Sequence, residues 1–322
     1  AQSTEDDHFI RYNANDGVLL ACGGFPGNPY MMEQLDPLGT SVTTACSYSP
    51  ADKGYGIRAA VWAGANLDKE AAPMLFDRGI VAPGVDGGYV ASDSAFGGKA
   101  FPGPIRQYNP GTQPFLKVNR NCERFANESS PYNDIVYAAA HQPGRVYAQI
   151  CDANILEDAK RFHTIGCSAQ TRNAGAEYIQ KQMDNAEKEG VFFKADTIEE
   201  LAEKVGLPVD TFKATIAAYN DGCANGNDPF GRTKQEVAMA NGPFYAVKTV
   251  PYVMITCGGP MMTKDCEVLN SDGLVIEGVY MAGEIVGMAN VGGRNSIGGM
   301  GHGNCLVWGK KAAEVIAAKL GK

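Results

Sequence analysis

The first sustained pattern along the chain is GVLLACGG at 17–24, an apolar run without alternation that stops on a glycine pair. Such a run predicts a strand buried on both faces that ends in a tight turn. The residues ahead of it read as a hairpin already in progress, as though the chain enters inside a domain. From Pro50, PADKGYGIRAAVWAGANL places Ile57, Ala60, Val61 and Ala65 on one helical face, with Gly64 as the stop. Gly54, Gly56 and Ala59 fit the spacing GxGxxG/A, but ACSYSPADK before them is not a strand, and the strand is what aims such a helix at a pyrophosphate.

Between residues 78 and 119 periodicity gives way to Gly, Pro and aromatic residues, which predicts a change of domain. A strand is expected at 115–119, a turn and helix at 127–140, a strand at 145–150, and helices at 175–189, 197–205 and 209–220. Thr197 with Glu200 three residues on is a capping box for the second of these helices. Residues 251–263 begin as a strand and break at Gly258-Gly259. A hairpin turns at NSDG within 267–276, and GVYMAG at 278–283 is a second buried strand that ends against Glu284. The glycine-rich GGRNSIGGMGHG at 292–303 feeds a helix over 304–320, with Leu306, Val307, Val315, Ile316 and Leu320 as its apolar face.

Composition narrows the class. With 322 residues, 44% hydrophobic and 20% charged, the chain suits one large domain or two ordinary ones. A net charge of −8 without a basic stripe excludes a general nucleic-acid binder, which needs clustered cations. No apolar run approaches the ~18 residues of a membrane-spanning helix. Nine cysteines, an odd number without CxxC spacing, predict free thiols and no metal cage. No address segment is displayed.

The last segment carries the most chemistry. A strand ending in Gly283-Glu284, a loop rich in glycine and then a helix present unpaired amides and a positive dipole end to an anion or a polarised carbonyl. An acidic residue at such a strand end can accept hydrogen bonds from ribose or ribityl hydroxyls.

Five stretches in this order, GVLLACGGF, VNRNCERFANESSPY, GPFYAVKTVPYVMITCGG, DGLVIEGVYMAGEIVG and NSIGGMGHGNCLVWGKKAA, resemble the flavoprotein superfamily of fumarate reductases, succinate dehydrogenases and 3-ketosteroid dehydrogenases. The resemblance implies an α/β fold. A Rossmann-like FAD-binding domain (1–77 and 257–322) is interrupted by a mixed α+β capping domain (78–256). The family's strand–GxGxxG–helix, which holds the ADP half of FAD, has no counterpart here. The FAD domain is therefore expected to be incomplete, and FAD to bind weakly until an upstream segment of that kind is supplied.

By position in the family motifs, the resemblance assigns Gly23, Gly24, Gly258, Gly259, Gly283, Glu284, Gly301, His302 and Gly303 to FAD. Arg124, Asn127 and Glu128 match its RFxNE stretch, where Arg124 reads either as a catalytic group or as part of an ion-paired turn. Tyr132 stands where fumarate reductases carry a proton-donating arginine, and ketosteroid dehydrogenases use a tyrosine in that neighbourhood. Ile255 and Ser296 replace the substrate-binding histidine and arginine of fumarate reductases, with Thr256 and Arg294 beside them. A desolvated dicarboxylate needs cationic partners, so fumarate and succinate are expected to be poor substrates. The implied activity is FAD-dependent addition or removal of hydrogen across a C=C bond conjugated to a carbonyl or carboxylate, with an electron donor that the sequence does not name. The rival reading is a non-catalytic fragment, a cap with half a cofactor domain.

Overall fold

The first apolar run folds as strand β1 (Val18–Leu20) in a computed structural model that describes residues 10–43, 45–47, 51–69, 71–80, 84, 86, 90–91, 99–100, 106–162, 168–232, 238–287 and 299–321. After β1 come α1 (Pro29–Leu35), α2 (Pro37–Val42), β2 (Ala45–Ser47), α3 (Tyr55–Trp62), β3 (Met74–Ile80), β4 (Val90–Ala91), β5 (Lys99–Ala100), β6 (Arg106–Gln107) and β7 (Leu116–Val118). The middle of the chain holds α4 (Tyr132–Ala140), β8 (Tyr147–Cys151), α5 (Ile155–Arg161), α6 (Ser168–Lys188), β9 (Phe192–Ala195), α7 (Ile198–Val205) and α8 (Val209–Asn225). It closes with β10 (Phe244–Ile255), β11 (Glu267–Leu269), β12 (Val275–Met281) and α9 (Met300–Lys319). The class is α/β, as the sequence implies.

Local chemistry accounts for the boundaries. Asn28 caps α1 by accepting a hydrogen bond from the Met31 amide, ahead of Pro29. Thr197 Oγ1 accepts from the Glu200 amide while the Glu200 carboxylate accepts from the Asp196 amide, and left-handed Gly206 stops α7. Asn270 Oδ1 accepts from the Asp272 and Leu274 amides and so builds the NSDG turn between β11 and β12.

Strand β10 ties the chain together. Its first half pairs antiparallel with β8 and β9, and its second half pairs with β3 antiparallel and β2 parallel. Pro251 lacks an amide proton, and the ladder to β3 shifts register there, between Val250 and Tyr252. On the first half, alternate residues serve two cores. Ala246 packs with Ile150, Leu201 and Phe212 under α7 and α8, while Val247 packs with Phe162, Ile179 and Met183 under α5 and α6. A third core gathers Phe25, Ile57, Val253, Met281 and Ile285 around the sheet β1-β12-β11.

Two sequence expectations are corrected. Strand β1 is not buried on both faces: Val18 and Leu19 are exposed, because among the described residues β1 pairs only with β12. Helix α9 starts earlier than expected, at Met300, and Leu306 and Val307 are 74% and 64% exposed. The helix docks through small Ala312, which is fully buried, with Trp308 packed against the same core. Cys22, Cys122, Cys151, Cys223, Cys257, Cys266 and Cys305 are free thiols. No described helix is long and apolar enough to cross a membrane, and no described cluster of His, Cys, Asp and Glu could hold a metal ion.

Asp36 caps α2 from a buried position, its Oδ1 accepting from the Gly39 amide and its Oδ2 without a described partner. Burial pushes its carboxyl up to about 8, against the weaker opposing pull of the Gly39 amide. The folded state therefore holds a proton that the unfolded chain releases above about pH 4, and stability falls as pH rises from there through about 8. Asp36→Asn keeps the cap without the charge. Its melting temperature should exceed that of the wild type at pH 9, by an amount equivalent to about 1–3 kcal/mol, and should fall less between pH 5 and pH 9. A wild-type pH profile in the variant would reject this.

Candidate active site

Along β3, side chains alternate between two environments. Leu75 enters the core beneath β1-β12-β11, whereas Met74, Phe76 and Arg78 share the opposite face and line a cavity of about 670 Å³. The end of β10 adds Met254 and Ile255, followed by Cys257. Tyr178, Gln182 and Asn185 of α6, with Gln107 and Asn109, form a polar part of the lining. Gly283 and Glu284 after β12, with Gly299 to His302, Asn304 and Cys305 at the start of α9, complete it.

Glu284 sits in a single 3₁₀ turn that β12 leads into. Its Oε1 accepts from the Thr256 amide at 3.0 Å and from Thr256 Oγ1 at 3.3 Å. Burial raises the Glu284 carboxyl above its ordinary range, the Thr256 amide opposes that shift, and nearby Asp52 adds to it. Gly24 is obligatory at this point. A Cβ there would stand 2.2 Å from Thr256 Oγ1 and 2.5 Å from Glu284 Oε1. Cys257 holds a left-handed backbone (φ 43°), and burial followed by the Glu284 charge pushes its thiol up to about 12.

Helix α9 brings its positive end to the cavity. Left-handed Gly299 precedes it, and its first turn is Met300, Gly301, His302 and Gly303. The opening amides of a helix have no partner within it. The Gly303 amide is already paired with the Gly299 carbonyl at 2.8 Å, whereas at Gly301 a Cβ would meet, among the described residues, only Ile255 Cδ1 at 3.5 Å, so little side-chain bulk stands near the helix start there.

Of the residues singled out by sequence, the cavity brings together Ile255, Gly283, Glu284, Gly301 and His302. Thr256 and Gly24 stand directly behind Glu284. Gly23, left-handed at φ 75°, lies against Asp52. Gly258 and Gly259 do not line the cavity. They allow backbones to approach, since a Cβ would stand 2.6 Å from Ala71 Cβ in the first case and 2.0 Å from the Ile285 carbonyl oxygen in the second.

Arg124 does not reach the cavity either. Its Nε and Nη2 donate to the two Glu128 oxygens at 2.8 and 2.7 Å, and its Nη1 meets Asp228 at 2.8 Å, beneath the rings of Tyr219 and Phe230. Tyr132 is buried one layer behind the wall, edge-on to Phe76 at 4.7 Å between ring centroids and clustered with Met74 and Met300. Arg294 and Ser296 lie outside the described residues. Sequence reasoning passed over Arg78. The alternation within MLFDRGI is the signal that sets it beside Met74 and Phe76.

The profile of the FAD binding domain family matches residues 2–301. Among curated proteins, the chain is 30% identical over 305 residues to an NADH:acrylate oxidoreductase of Vibrio harveyi, covering 94% of this chain and 27% of that protein. It is 33% identical over 273 residues to a vinyl phenol reductase of Lactiplantibacillus plantarum, covering 83% of this chain and 53% of that one. The chain thus spans about half or less of the curated relatives it matches. The open conformation of a flavocytochrome c3 fumarate reductase superposes with a TM-score of 0.65 at 24% identity, over 94% of this chain and 46% of that one. The family profile over nearly the whole chain establishes that this chain belongs to the FAD binding domain family, and its fold is shared with the flavocytochrome c3 fumarate reductase.

Proposed function

We propose that this protein is an FAD-dependent oxidoreductase that reduces or forms a C=C bond conjugated to a carbonyl or carboxylate. The observation that carries this reading is the cavity itself. It places the Glu284 turn and the N-terminus of α9 on one wall and an apolar and polar wall from β3, β10 and α6 on the other. Relatives named for the reduction of acrylate and of a vinyl phenol support the bond type.

The residues present fit FAD. Glu284 offers a carboxylate to hydroxyl donors, and the uncovered amides at Gly301 and His302 with the helix dipole favour negative charge. Gly283, left-handed at φ 87°, lets the chain turn at the cavity wall. When bound, FAD supplies hydride chemistry. The chain's own part is to hold Glu284 through Thr256, to place the α9 dipole, and to keep water off the apolar wall of Met74, Phe76 and Ile255. Tyr132, the tyrosine that the family motif singles out as proton source, packs behind Phe76 with Met300 and can reach a bound alkene only when those side chains move aside, because a general acid must come within hydrogen-bond reach of the atom it protonates. Among the described residues β1 pairs on one side only, and a strand–GxGxxG–helix element added there would complete the FAD site.

Three outcomes test the reading. Anaerobic mixing of the reduced holoprotein with a panel of alkenes should reoxidise the flavin rapidly with singly charged or uncharged conjugated alkenes and slowly with fumarate. A panel without any reoxidant rejects the activity. FAD titration should show tight binding when the upstream element is present and weak binding by the 322-residue chain alone. In the extended protein Glu284→Ala should cost about 1–3 kcal/mol of FAD affinity, the scale of a lost hydrogen bond to a charged group. Stoichiometric FAD retained through gel filtration by the chain alone would overturn the first part, and unchanged affinity the second.

Tyr132→Phe keeps the ring against Phe76 and removes only the hydroxyl. Single-turnover oxidation of pre-reduced enzyme should slow about 10²-fold, with the flavin spectrum and substrate affinity nearly intact. Tyr178→Phe, in the polar wall of the cavity, is the control. A loss there and not at Tyr132 would move the proton source to Tyr178.

A further inference from the structure

Arg78 is the charged side chain of the cavity whose partners are not accounted for. It is 2% exposed, lines the cavity, and its Nε and Nη1 have no hydrogen-bond partner among the described residues. The position is built rather than accidental. The Tyr108 amide donates to the Arg78 carbonyl at 2.8 Å, and the 3₁₀ turn Asn109–Thr112 packs on its backbone so closely that a Cβ on Gly111 would stand 2.8 Å from Arg78 Cβ. The guanidinium lies over the Phe76 ring, 4.3 Å from its centroid.

No ion pair joins Arg78 to a carboxylate among the described residues: the adjacent Asp77 points to the other face of β3, 3.8 Å from Lys117, and Glu284, in the same cavity lining, is hydrogen-bonded to Thr256. A buried guanidinium with unmet donors is costly unless an acceptor reaches it. The acceptor that matches it is a carboxylate brought in by a ligand.

We propose that Arg78 anchors the single anionic group of the substrate, which makes the cavity selective for α,β-unsaturated monocarboxylates. This rests on the alkene reading above and narrows it. A monocarboxylate satisfies the one guanidinium of the described cavity wall. A dicarboxylate would leave its second charge facing an apolar wall or the Glu284 carboxylate. An uncharged enone would leave Arg78 unmet.

Calorimetric titration of the oxidised holoprotein with crotonate and with crotonamide, its uncharged isostere, tests the anchor without turnover. The wild type should bind crotonate at least tenfold more tightly than crotonamide. Arg78→Gln should weaken crotonate about 10- to 100-fold, the range of a hydrogen bond to a charged group, and change crotonamide and FAD less than threefold. Arg78→Lys keeps the charge and the folded cavity but loses the planar fork, and should fall between the two. No crotonate binding by the wild type, equal loss of both ligands, or unchanged crotonate affinity in Arg78→Gln would each overturn the proposal. Failure of the parent reading looks different: crotonate that binds through Arg78 but never reoxidises the reduced flavin refutes alkene reduction and leaves the anion anchor standing.

Discussion

One carboxylate oxygen, Glu284 Oε1, holds three distant parts of the chain in register. It accepts from the amide and the hydroxyl of Thr256, while Thr256 Oγ1 also lies 3.4 Å from the Phe25 amide. The ends of β1, β10 and β12 therefore converge on a single group. That convergence is possible only because residue 24 is glycine. Once it is set, Gly259 falls against the Ile285 carbonyl, and Gly287 donates to the Pro260 carbonyl at 2.8 Å. The carboxylate that faces the cavity is thus also the one that fixes the cavity's floor.

Away from the cavity, the interior is organised by charge as much as by apolar packing. Arg124, Glu128, Asp228 and Arg232 form a buried network beside the β7-β8 sheet, and Asp77 with Lys117 forms a second ion pair in the interior. Burial pushes Asp77 up to about 6, opposed by the charges of Lys117 and Arg78. Isolated buried ions are costly, so nearly every member of these groups is met by an opposite charge or a hydrogen bond. The motif stretch around Arg124 is therefore held inside this network, and the guanidinium that lines the cavity comes from β3.

Alternation along one strand divides these duties. In β3, Leu75 and Asp77 face the interior packing and the ion pair, and Met74, Phe76 and Arg78 face the cavity. In β10 the same period sends Ala246 and Val247 into different cores before the strand delivers Met254 and Ile255 to the cavity. A two-residue period and a single long strand suffice to connect a structural core to the cavity wall.

Much of this was legible in the chain itself. Caps, turns and glycine stops are local chemistry, so Thr197 with Glu200, the NSDG turn and the glycines ahead of α9 announce their elements wherever they occur. The ordered motifs likewise carried the family, the cofactor and the Glu284 turn. What the chain did not disclose depends on which surfaces meet. A strand read as doubly buried has Val18 and Leu19 exposed among the described residues, and α9 buries Ala312 and leaves Leu306 outside, because hydrophobic burial is non-directional and needs a partner that only the assembled layers supply. Arg124 and Arg78 are alike as residues in a sequence. Tertiary structure alone gave the first two carboxylates and left the second facing the cavity, since the cost of burying a charge is decided by the neighbours that fold around it.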